Sequence, residues 1–270
     1  MGKTRVITNK SDNYYHVMTR TAQLAFLLED PAFKQEVDQI IKAFAEIYYV
    51  DIHNWTYMDN HYHLCINIKK PAYDQAEVRR RFELLQEQCT RPRRWYAGLG
   101  QRLHKRFSNL SKFMWEINRR TAIAFNTKHG TGGHFWGARF KSRPLEGDQE
   151  ILAVMAYIEQ NAVRCKPAKA ARPSAYPFCT AGVIAAALAA GIPVEVPRIG
   201  FLRHRAVEDR ARAYVIYMDH VSALAMNPLK RTEQAPPEVV ALSLPGDLSK
   251  TIEALRAGTP AAWGSGTIQP

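Results

Sequence analysis

Two histidines separated by one residue, His61 and His63, are the first residues whose type and spacing suggest chemistry. The surrounding residues, 57–68, are mostly aromatic, β-branched or apolar, which predicts a strand. Because side chains alternate between the faces of a strand, we expect both imidazoles on one face and Tyr62 on the other. Two neighbouring imidazoles can bind one divalent metal ion. Two ordinary histidines on a half-exposed strand have the same pattern, so the pair alone leaves both interpretations open.

A second pair of candidate residues, Tyr157 and Asn161, lies much later in the chain on a predicted helix. Residues four apart on a helix share a face one turn apart. A tyrosine hydroxyl becomes a covalent nucleophile when a metal or base assists its deprotonation, and an amide oxygen is a hard ligand suited to Mg²⁺ or Mn²⁺. Together with His61 and His63, the pair would form a metal-dependent phosphoryl-transfer site. The alternative is an ordinary helical tyrosine of the core or surface.

Two further residues near these positions could supply a metal ligand. Gln160 also carries an amide, three residues after Tyr157, but the phase of a helix favours Asn161 because a four-residue step stays closer to the direction of the tyrosine. Cys65 lies on the same predicted face as the histidines, one alternation further on. A buried structural cysteine is the interpretation that we favour for it.

A strongly basic segment lies between these two groups. From Val78 to Arg106 there are nine Arg and Lys residues against two Glu residues, a net charge of +7 over 29 residues. Basic side chains neutralise phosphates and aromatic rings stack on unpaired bases, whereas the alternative is a solvated surface. A later stretch, 134–143, alternates aromatic residues with cations. The DNA-binding candidates are Arg79, Arg80, Arg81, Arg91, Arg93, Arg94, Trp95, Lys105, Arg106, His134, Trp136, Arg139 and Lys141.

The composition agrees with a basic protein that binds a polyanion. The 270 residues are 46% hydrophobic, ample for a core, and the formal net charge is +12. The four cysteines form no C-x-x-C pair, which favours reduced thiols in the cytoplasm. The polar start, 1–13, is not typical of a secretory signal, and the longest apolar run, 181–196, is too short and interrupted to span a bilayer. We therefore expect a cytoplasmic, nucleoid-associated protein with no membrane partner.

Hydrophobic periodicity and turn residues predict the elements that position these side chains. The predicted order is β-α-β-β-α-β-α, which is an α+β fold with a ferredoxin-like antiparallel sheet and helices on one face. Its main segments are a strand at 13–19, a helix after Asp30-Pro31, a hairpin of 49–58 with 61–68, a helix at 75–88, one long helix at 103–128 ended by Gly130, a strand with a basic side at 134–143, and a helix from the Asp148 cap to about Arg164.

The composition changes after Arg164, which predicts two regions with a boundary at residue 165. Residues 1–165 are the expected catalytic domain, and residues 166–270 are a C-terminal extension. The extension begins with a Pro-, Ala- and basic-rich linker at 166–177, followed by short helices at 181–190 and 208–226. Residues 234–270 have many Pro and Gly residues and little periodicity, so we expect a loosely packed, partly disordered end.

Four motifs over about residues 11 to 165 resemble one family. Tyr14-Tyr15-His16-Val17, Met58-Asp59-Asn60-His61-Tyr62-His63-Leu64, His134-Phe135-Trp136-Gly137-Ala138-Arg139-Phe140-Lys141-Ser142 and Tyr157-Ile158-Glu159-Gln160-Asn161-Ala162-Val163-Arg164 are similar to motifs of the single-tyrosine HUH transposases of the IS200-like type, in their REP-associated branch. All four occur in order, at separations similar to those of the family. One departure is Ala162, where the family usually has proline.

The resemblance implies a metal-dependent single-strand DNA endonuclease and strand transferase that acts on hairpin-bearing DNA. Tyr157 would form a 5′-phosphotyrosine link, while His61, His63 and Asn161 would hold Mg²⁺ or Mn²⁺. The family often forms homodimers, which is a further expectation. A catalytically inactive, domesticated nucleic-acid-binding protein on the same fold is the alternative. A replication initiator or conjugative relaxase ranks lower, since its histidine motif usually lies differently relative to its tyrosine.

Overall fold

The computed structural model of the chain describes residues 12–91 and 94–226. Its strands are β1 (Asp12–Arg20), β2 (Val50–Tyr57), β3 (His61–Lys69) and β4 (Lys141–Leu145). Its helices are α1 (Pro31–Ile47), α2 (Gln75–Glu87), α3 (Leu99–Phe107), α4 (Leu110–His129), α5 (Gly147–Glu159), α6 (Asn161–Arg164), α7 (Thr180–Ala189) and α8 (Val207–Met226). Short 3-10 helices lie at Ala22–Leu24, Pro173–Ala175 and Gly200–Leu202.

The four strands form one antiparallel sheet in the order β2-β3-β1-β4. The predicted hairpin of β2 and β3 is confirmed, because these strands are hydrogen-bonded neighbours joined through Asp59 and Asn60. The first strand lies inside the sheet, between β3 and β4. The predicted α+β class, with an antiparallel sheet and helices, is therefore confirmed.

Contacts between residues divide the described chain into two compact units. Unit 1 contains the residues up to 52, residues 59–61 and residues 66–144, and unit 2 contains residues 53–58, 62–65 and those from 145 on. The boundary expected at residue 165 is a different division and stays a prediction.

The core of unit 1 is built around the amphipathic helix α1. Asp30 caps this helix by accepting a hydrogen bond from the Ala32 amide at 2.9 Å, and Pro31 occupies its first turn, as the sequence predicts. The helix packs against α2 and α4. Phe33 is fully buried, and its ring meets Phe125 of α4 and Phe135 edge-on. Aromatic contacts therefore join α1, α4 and the segment that precedes β4.

The long helix predicted at 103–128 is wrong, because the structure has two helices, α3 and α4, with a break at Ser108 and Asn109. Asn109 has an extended backbone, and its side chain accepts a hydrogen bond from the Lys112 amide at 3.0 Å. Asparagine is a strong N-cap, so it starts a new helix although the apolar spacing continues. The predicted end is confirmed, since Gly130 has a left-handed backbone with φ of 61°.

The strand predicted from residue 134 is also wrong in its start, because β4 begins only at Lys141. Phe135 is buried, and the Trp136 indole donates to the Asn118 carbonyl at 2.8 Å, beside a single bridge to Thr21. A Cβ atom at Gly137 would lie 2.8 Å from the Thr21 carbonyl oxygen, so the backbone approach there requires glycine. The Phe135 and Trp136 side chains therefore pack within unit 1 and do not alternate between the two faces of a strand.

In unit 2, α5 and α6 replace the single helix that was predicted up to Arg164. The helix begins after Glu146, so the prediction that Asp148 is the cap is wrong; Asp148 lies in the first turn, accepts from the Gly200 amide at 3.0 Å and pairs with Arg203 at 2.8 Å. Gln160 separates α5 from α6. The Asn161 side chain nevertheless reaches the last turn of α5, where it donates hydrogen bonds to the Tyr157 and Ile158 carbonyls.

The C-terminal extension is packed into unit 2 as far as it is described. The helices predicted at 181–190 and 208–226 correspond to α7 and α8, which contact each other. Within the expected linker, Pro173 is buried and the Tyr176 hydroxyl donates to the Tyr57 carbonyl at 2.7 Å. The disorder expected at 234–270 falls outside the described residues. In the part of the chain that the structure describes, no helix has the length and apolar character that a membrane span needs.

Candidate active site

Within unit 2, the structure brings His63 of β3 against Tyr157 of α5. The two rings meet edge-to-face, with 5.8 Å between their centroids and an interplanar angle of 87°. His63 is buried, whereas Tyr157 is half-buried. The Arg164 guanidinium lies over the Tyr157 ring, 5.9 Å from its centroid. The Tyr157 ring therefore has an imidazole and a guanidinium as neighbours.

The C-terminal turn of α5, which carries Tyr157, is fixed by burial and by hydrogen bonds to β2. Met155 and Ile158 are fully buried on one side of the helix. The Thr56 hydroxyl donates to the Ile158 carbonyl at 2.8 Å, which satisfies a carbonyl at the helix end. The turn therefore has little freedom to move relative to this strand.

Gln160 and Asn161 directly follow the last residue of α5, and their side chains have different surroundings. The Asn161 amide nitrogen donates to the Tyr157 and Ile158 carbonyls at 2.9 and 3.1 Å, which turns its oxygen away from the helix end. This orientation suits a metal ligand. Gln160 is almost fully buried, and its Oε1 has no hydrogen-bond partner among the described residues. The alternative ligand at Gln160 therefore stays open beside Asn161.

His61 begins β3, two residues before His63, so strand alternation gives the two side chains the same face. Its Nδ1 lies 2.6 Å from the Asn60 side-chain oxygen. An amide oxygen only accepts, so the proton belongs on Nδ1 and Nε2 is the basic nitrogen. This is the form of imidazole that binds metals, held by a neighbouring side chain as metal-binding histidines commonly are.

Imidazole nitrogens and amide oxygens are donor types that suit a small divalent ion. Among residues 12–91 and 94–226, no group of three or more His, Cys, Asp and Glu side chains could hold a metal. Cys65 is fully buried, and burial raises the pKa of its thiol to about 12. A thiol that stays protonated is a poor ligand, which agrees with the structural role expected for it.

Several of the cations proposed to bind DNA are engaged within unit 1. Arg80 and Arg81 both pair with Glu77. Arg81 also donates to the Glu46 and Tyr48 carbonyls and lies 4.2 Å from the Tyr49 ring centroid. These contacts indicate that Arg81 supports the fold.

Arg106 and Arg79 also contact a carboxylate and an aromatic residue of unit 1. Arg106 is half-buried and bonds to the Tyr48 hydroxyl and the Glu116 carboxylate. Arg79 lies 5.0 Å from the Trp95 ring centroid and 3.6 Å from a Glu83 oxygen. Arginine residues at such positions contribute packing as well as charge.

Most of the remaining described candidates lie on the surface, although Trp95 is half-buried and its ring meets Phe82 edge-on. Exposed aromatic residues accompany some of these candidates. Tyr96, 49% exposed, accepts a hydrogen bond from Arg102 at 3.1 Å, and Tyr73 is 44% exposed. Neither tyrosine nor Arg102 was among the candidates, although Tyr96 and Arg102 belong to the basic segment from Val78 to Arg106. Trp136 is half-buried, and Arg93 lies outside the described residues. Arg79 and Arg80 are exposed despite their ion pairs, and the other exposed candidates are Arg91, Arg94, Lys105, His134, Arg139 and Lys141.

A buried carboxyl group, Glu159, lies two residues from Tyr157 and was not recognised from the sequence. Its Oε1 accepts hydrogen bonds from the Asn54 side chain at 2.6 Å, the Tyr214 hydroxyl at 2.7 Å and the Ala181 amide at 3.0 Å. Burial raises the pKa of Glu159 to about 7, although hydrogen bonds from the Cys179 side chain, the Tyr214 hydroxyl and the Ala181 amide oppose the shift. No local pattern marks this residue, because its partners come from distant parts of the chain.

Part of the chain is similar to known proteins. Residues 9–91 match the family model described as "Transposase IS200 like". Among solved structures, one entitled "Structure of the REP associates tyrosine transposase bound to a REP hairpin" is similar, with 16% identity and a TM-score of 0.40, over 69% of this chain and 86% of that chain. No curated protein matches. Residues 9–91, which include β1, β2, β3 and both histidines, are thus similar to the IS200-like transposases, as the motifs predict.

Proposed function

We propose that this protein is a metal-dependent single-strand DNA endonuclease and strand transferase. Its substrate is hairpin-bearing DNA, and Tyr157 forms a 5′-phosphotyrosine intermediate. The observation that carries the proposal is the contact between the rings of His63 and Tyr157, 5.8 Å apart, within one unit. A cytoplasmic, nucleoid-associated location and assembly as a homodimer belong to the same proposal.

The chain's own residues would act in the following order. The Tyr157 oxygen loses its proton to solvent and attacks the scissile phosphorus, and the bond to the 3′ oxygen breaks. That oxygen leaves as a hydroxyl after gaining a proton. The 5′ side of the cut stays on Tyr157, and attack by a 3′-hydroxyl on the same phosphorus reverses the step and joins strands. Arg164, above the Tyr157 ring, is placed to stabilise the developing anion.

His61, His63 and Asn161 would hold Mg²⁺ or Mn²⁺. When bound, the ion supplies charge stabilisation at the phosphate oxygens and orients the phosphate. The basic Nε2 of His61 and the orientation of the Asn161 amide support this ligand set. Gln160 is the alternative source of the amide oxygen, because its Oε1 is buried without a hydrogen-bond partner among the described residues.

DNA binding in this proposal depends on the exposed cations and on aromatic rings of unit 1. Arg91, Arg94 and Lys105 would neutralise phosphates, and the half-buried Trp95 and the exposed Tyr96 would stack on unpaired bases. His134, Arg139 and Lys141 add a second group of polar and charged side chains. Arg79, Arg80, Arg81, Arg106 and Trp136, which are engaged in contacts within the unit, would contribute less directly.

A denaturing gel tests the proposal against the alternative of an inactive DNA-binding relative. The full chain is incubated with labelled single-stranded hairpin DNA and Mn²⁺, then denatured and separated. A covalent adduct survives denaturation, so we expect a labelled band at the size of protein plus DNA fragment. Binding in a native gel without any adduct or cleaved DNA would instead identify a domesticated binder.

A further inference from the structure

A hydrogen-bonded cluster in unit 2 joins the helix of the proposed nucleophile to the C-terminal extension. Glu159 of α5 is fully buried. Its Oε1 accepts from the Asn54 side chain of β2 at 2.6 Å, from the Tyr214 hydroxyl of α8 at 2.7 Å and from the Ala181 amide of α7 at 3.0 Å. Asn54 also bonds to the Tyr214 hydroxyl at 2.7 Å. One oxygen atom thus connects four elements that are far apart in sequence.

Glu159 lies close in sequence to the residues that are proposed to act in DNA cleavage. It follows Tyr157 by two residues and precedes Asn161 by two, in the turn whose Ile158 carbonyl accepts from Thr56. Asn54 and Thr56 are two residues apart on β2, so one face of the strand supplies both contacts. Three donors on one acceptor fix the position of the helix end more closely than apolar contacts do, because hydrogen bonds are directional.

We propose that Glu159 is a positioning residue, and that through Tyr214 and the Ala181 amide the C-terminal extension holds Tyr157 in the geometry for attack on the phosphate. This inference rests on the proposed function. It assigns residues 180–214 a role in cleavage that is separate from DNA binding. Small displacements of a reacting group can reduce a rate by about 100-fold, so disruption of the cluster would act on the rate of cleavage.

Two substitutions and one matched control test the inference in the full chain. Tyr214→Phe removes one donor to Glu159 and keeps the ring. Glu159→Leu keeps a side chain of similar size but removes the acceptor. Tyr176→Phe is the control, because Tyr176 is also buried in unit 2 and its hydroxyl donates at 2.7 Å, but to the Tyr57 carbonyl of β2. Any general effect of removing one buried hydroxyl is therefore present in the control.

The readouts are the single-turnover cleavage rate constant and the dissociation constant for hairpin DNA. We expect Tyr214→Phe and Glu159→Leu to reduce the rate constant by about 10- to 100-fold. Their dissociation constants should stay within about threefold of the wild-type value, and Tyr176→Phe should change neither quantity by more than about threefold, since binding is spread over many phosphate contacts.

A conservative variant provides the rescue. All three donors meet Oε1, so Glu159→Gln keeps the acceptor that they share, and we expect it to cleave within about threefold of the wild-type rate. Wild-type rates in both Tyr214→Phe and Glu159→Leu would overturn the inference, as would equal reductions of the rate in Tyr214→Phe and Tyr176→Phe. If Glu159→Leu does not fold, Tyr214→Phe against its control decides. A wild-type chain that forms no adduct would instead refute the proposed function itself.

Discussion

At the scale of single residues, the proposed reaction depends on a phenol that needs assistance. A tyrosine hydroxyl has an ordinary pKa of about 10, so little of the phenolate exists at neutral pH without a cation nearby. In unit 2, Tyr157 contacts the His63 ring and lies below the Arg164 guanidinium. Removing these neighbours should therefore affect the chemical step more than it affects DNA binding.

The histidine pair gives the first prediction. His61→Ala or His63→Ala should reduce cleavage by roughly 1,000-fold, because several kcal/mol of charge stabilisation would disappear with the metal. Hairpin affinity should change little, and EDTA should reproduce the reduction in the wild-type chain. Cleavage rates and gel-shift affinities measure the two effects. His204→Ala, at an exposed histidine of unit 2, is the control. Unchanged cleavage by His63→Ala in EDTA would show that cleavage does not depend on a metal ion.

A second prediction concerns His16, which is fully buried on β1. Burial, assisted by the nearby Arg143 charge, lowers the pKa of His16 from 6.5 to about 3. Between those values the unfolded chain binds a proton that the folded chain does not, so stability is complete above pH 6.5 and falls as the pH decreases. From pH 7 to pH 5 this residue should remove about 2 kcal/mol from the free energy of unfolding.

Denaturant unfolding at the two pH values measures this effect. His16→Gln should unfold with a smaller difference between pH 7 and pH 5 than the wild-type chain, because the variant has no imidazole at this position to protonate. His204→Gln, at an exposed position, should keep the wild-type difference. Equal differences in His16→Gln and the wild-type chain would show that the His16 side chain is not the group responsible.

Residue types and short spacings were sufficient to predict some of the candidate site. Alternation on a strand places His61 with His63, and a four-residue step relates Tyr157 to Asn161, whose amide bonds to the Tyr157 carbonyl. Glu159 could not be predicted in this way. Its partners Asn54 and Tyr214 lie 105 and 55 residues away in the chain, so only the folded arrangement brings them together.

At the scale of elements, β1, β2, β3 and several helix ends follow from local signals, and the failures have identifiable physical causes. The helix after Asp30 begins at Pro31 as predicted, and the hairpin of β2 and β3 forms at Asp59 and Asn60. Apolar periodicity runs on through Asn109, but the capping side chain of this residue separates α3 from α4. The segment after residue 134 alternates like a strand, yet Phe135 is needed in the core of unit 1. Periodicity alone cannot distinguish these competing interactions.

The basic segment gives a prediction at this scale. Removing the exposed cations Arg91, Arg94 and Lys105 together should weaken hairpin binding and flatten its dependence on salt. The slope of log K against log salt should decrease in magnitude by roughly 0.7 for each phosphate that the variant no longer neutralises. Fluorescence anisotropy titrations over a range of salt concentrations measure the slope.

A control with the same change in net charge separates local interactions from total charge. Lys42, Lys69 and Lys128 are also in unit 1, and each pairs with an aspartate at 2.6–2.7 Å. Replacing these three lysines by alanine should leave the slope nearer to the wild-type value. Equal slopes for the two triple variants would show that only total charge matters, and the basic segment would then be a solvated surface.

At the scale of the whole molecule, the described part of the C-terminal extension is integral to unit 2. The Tyr57 amide donates to the Phe178 carbonyl at 2.9 Å, and Thr56 forms a bridge with Cys179. The composition after residue 165 predicted an appended region because proline, alanine and charge are common in linkers. Composition carries no information about which distant strand such a segment will meet.

Truncation tests whether the boundary at residue 165 separates an independent domain. A chain that ends at Cys165 lacks Tyr214 and the Ala181 amide, which are two of the three donors to Oε1 of Glu159. It also lacks α8, which packs against α5 in the full chain, so apolar surface of α5 becomes exposed to water. We expect the truncated chain to melt at a clearly lower temperature by circular dichroism. An unchanged melting temperature would establish residues 1–165 as a self-sufficient domain.

Mapping the covalent adduct identifies which residue is the nucleophile. The full chain is incubated with hairpin DNA and Mn²⁺, digested, and the DNA-bearing peptide is identified by mass spectrometry. We expect a single modified residue, Tyr157, joined to the 5′-phosphate of the cut strand with a free 3′-hydroxyl on the other side. Tyr157→Phe should bind the same DNA but form no adduct. An adduct on another tyrosine, such as Tyr62 or Tyr176, or normal cleavage by Tyr157→Phe, would show that Tyr157 is not the nucleophile.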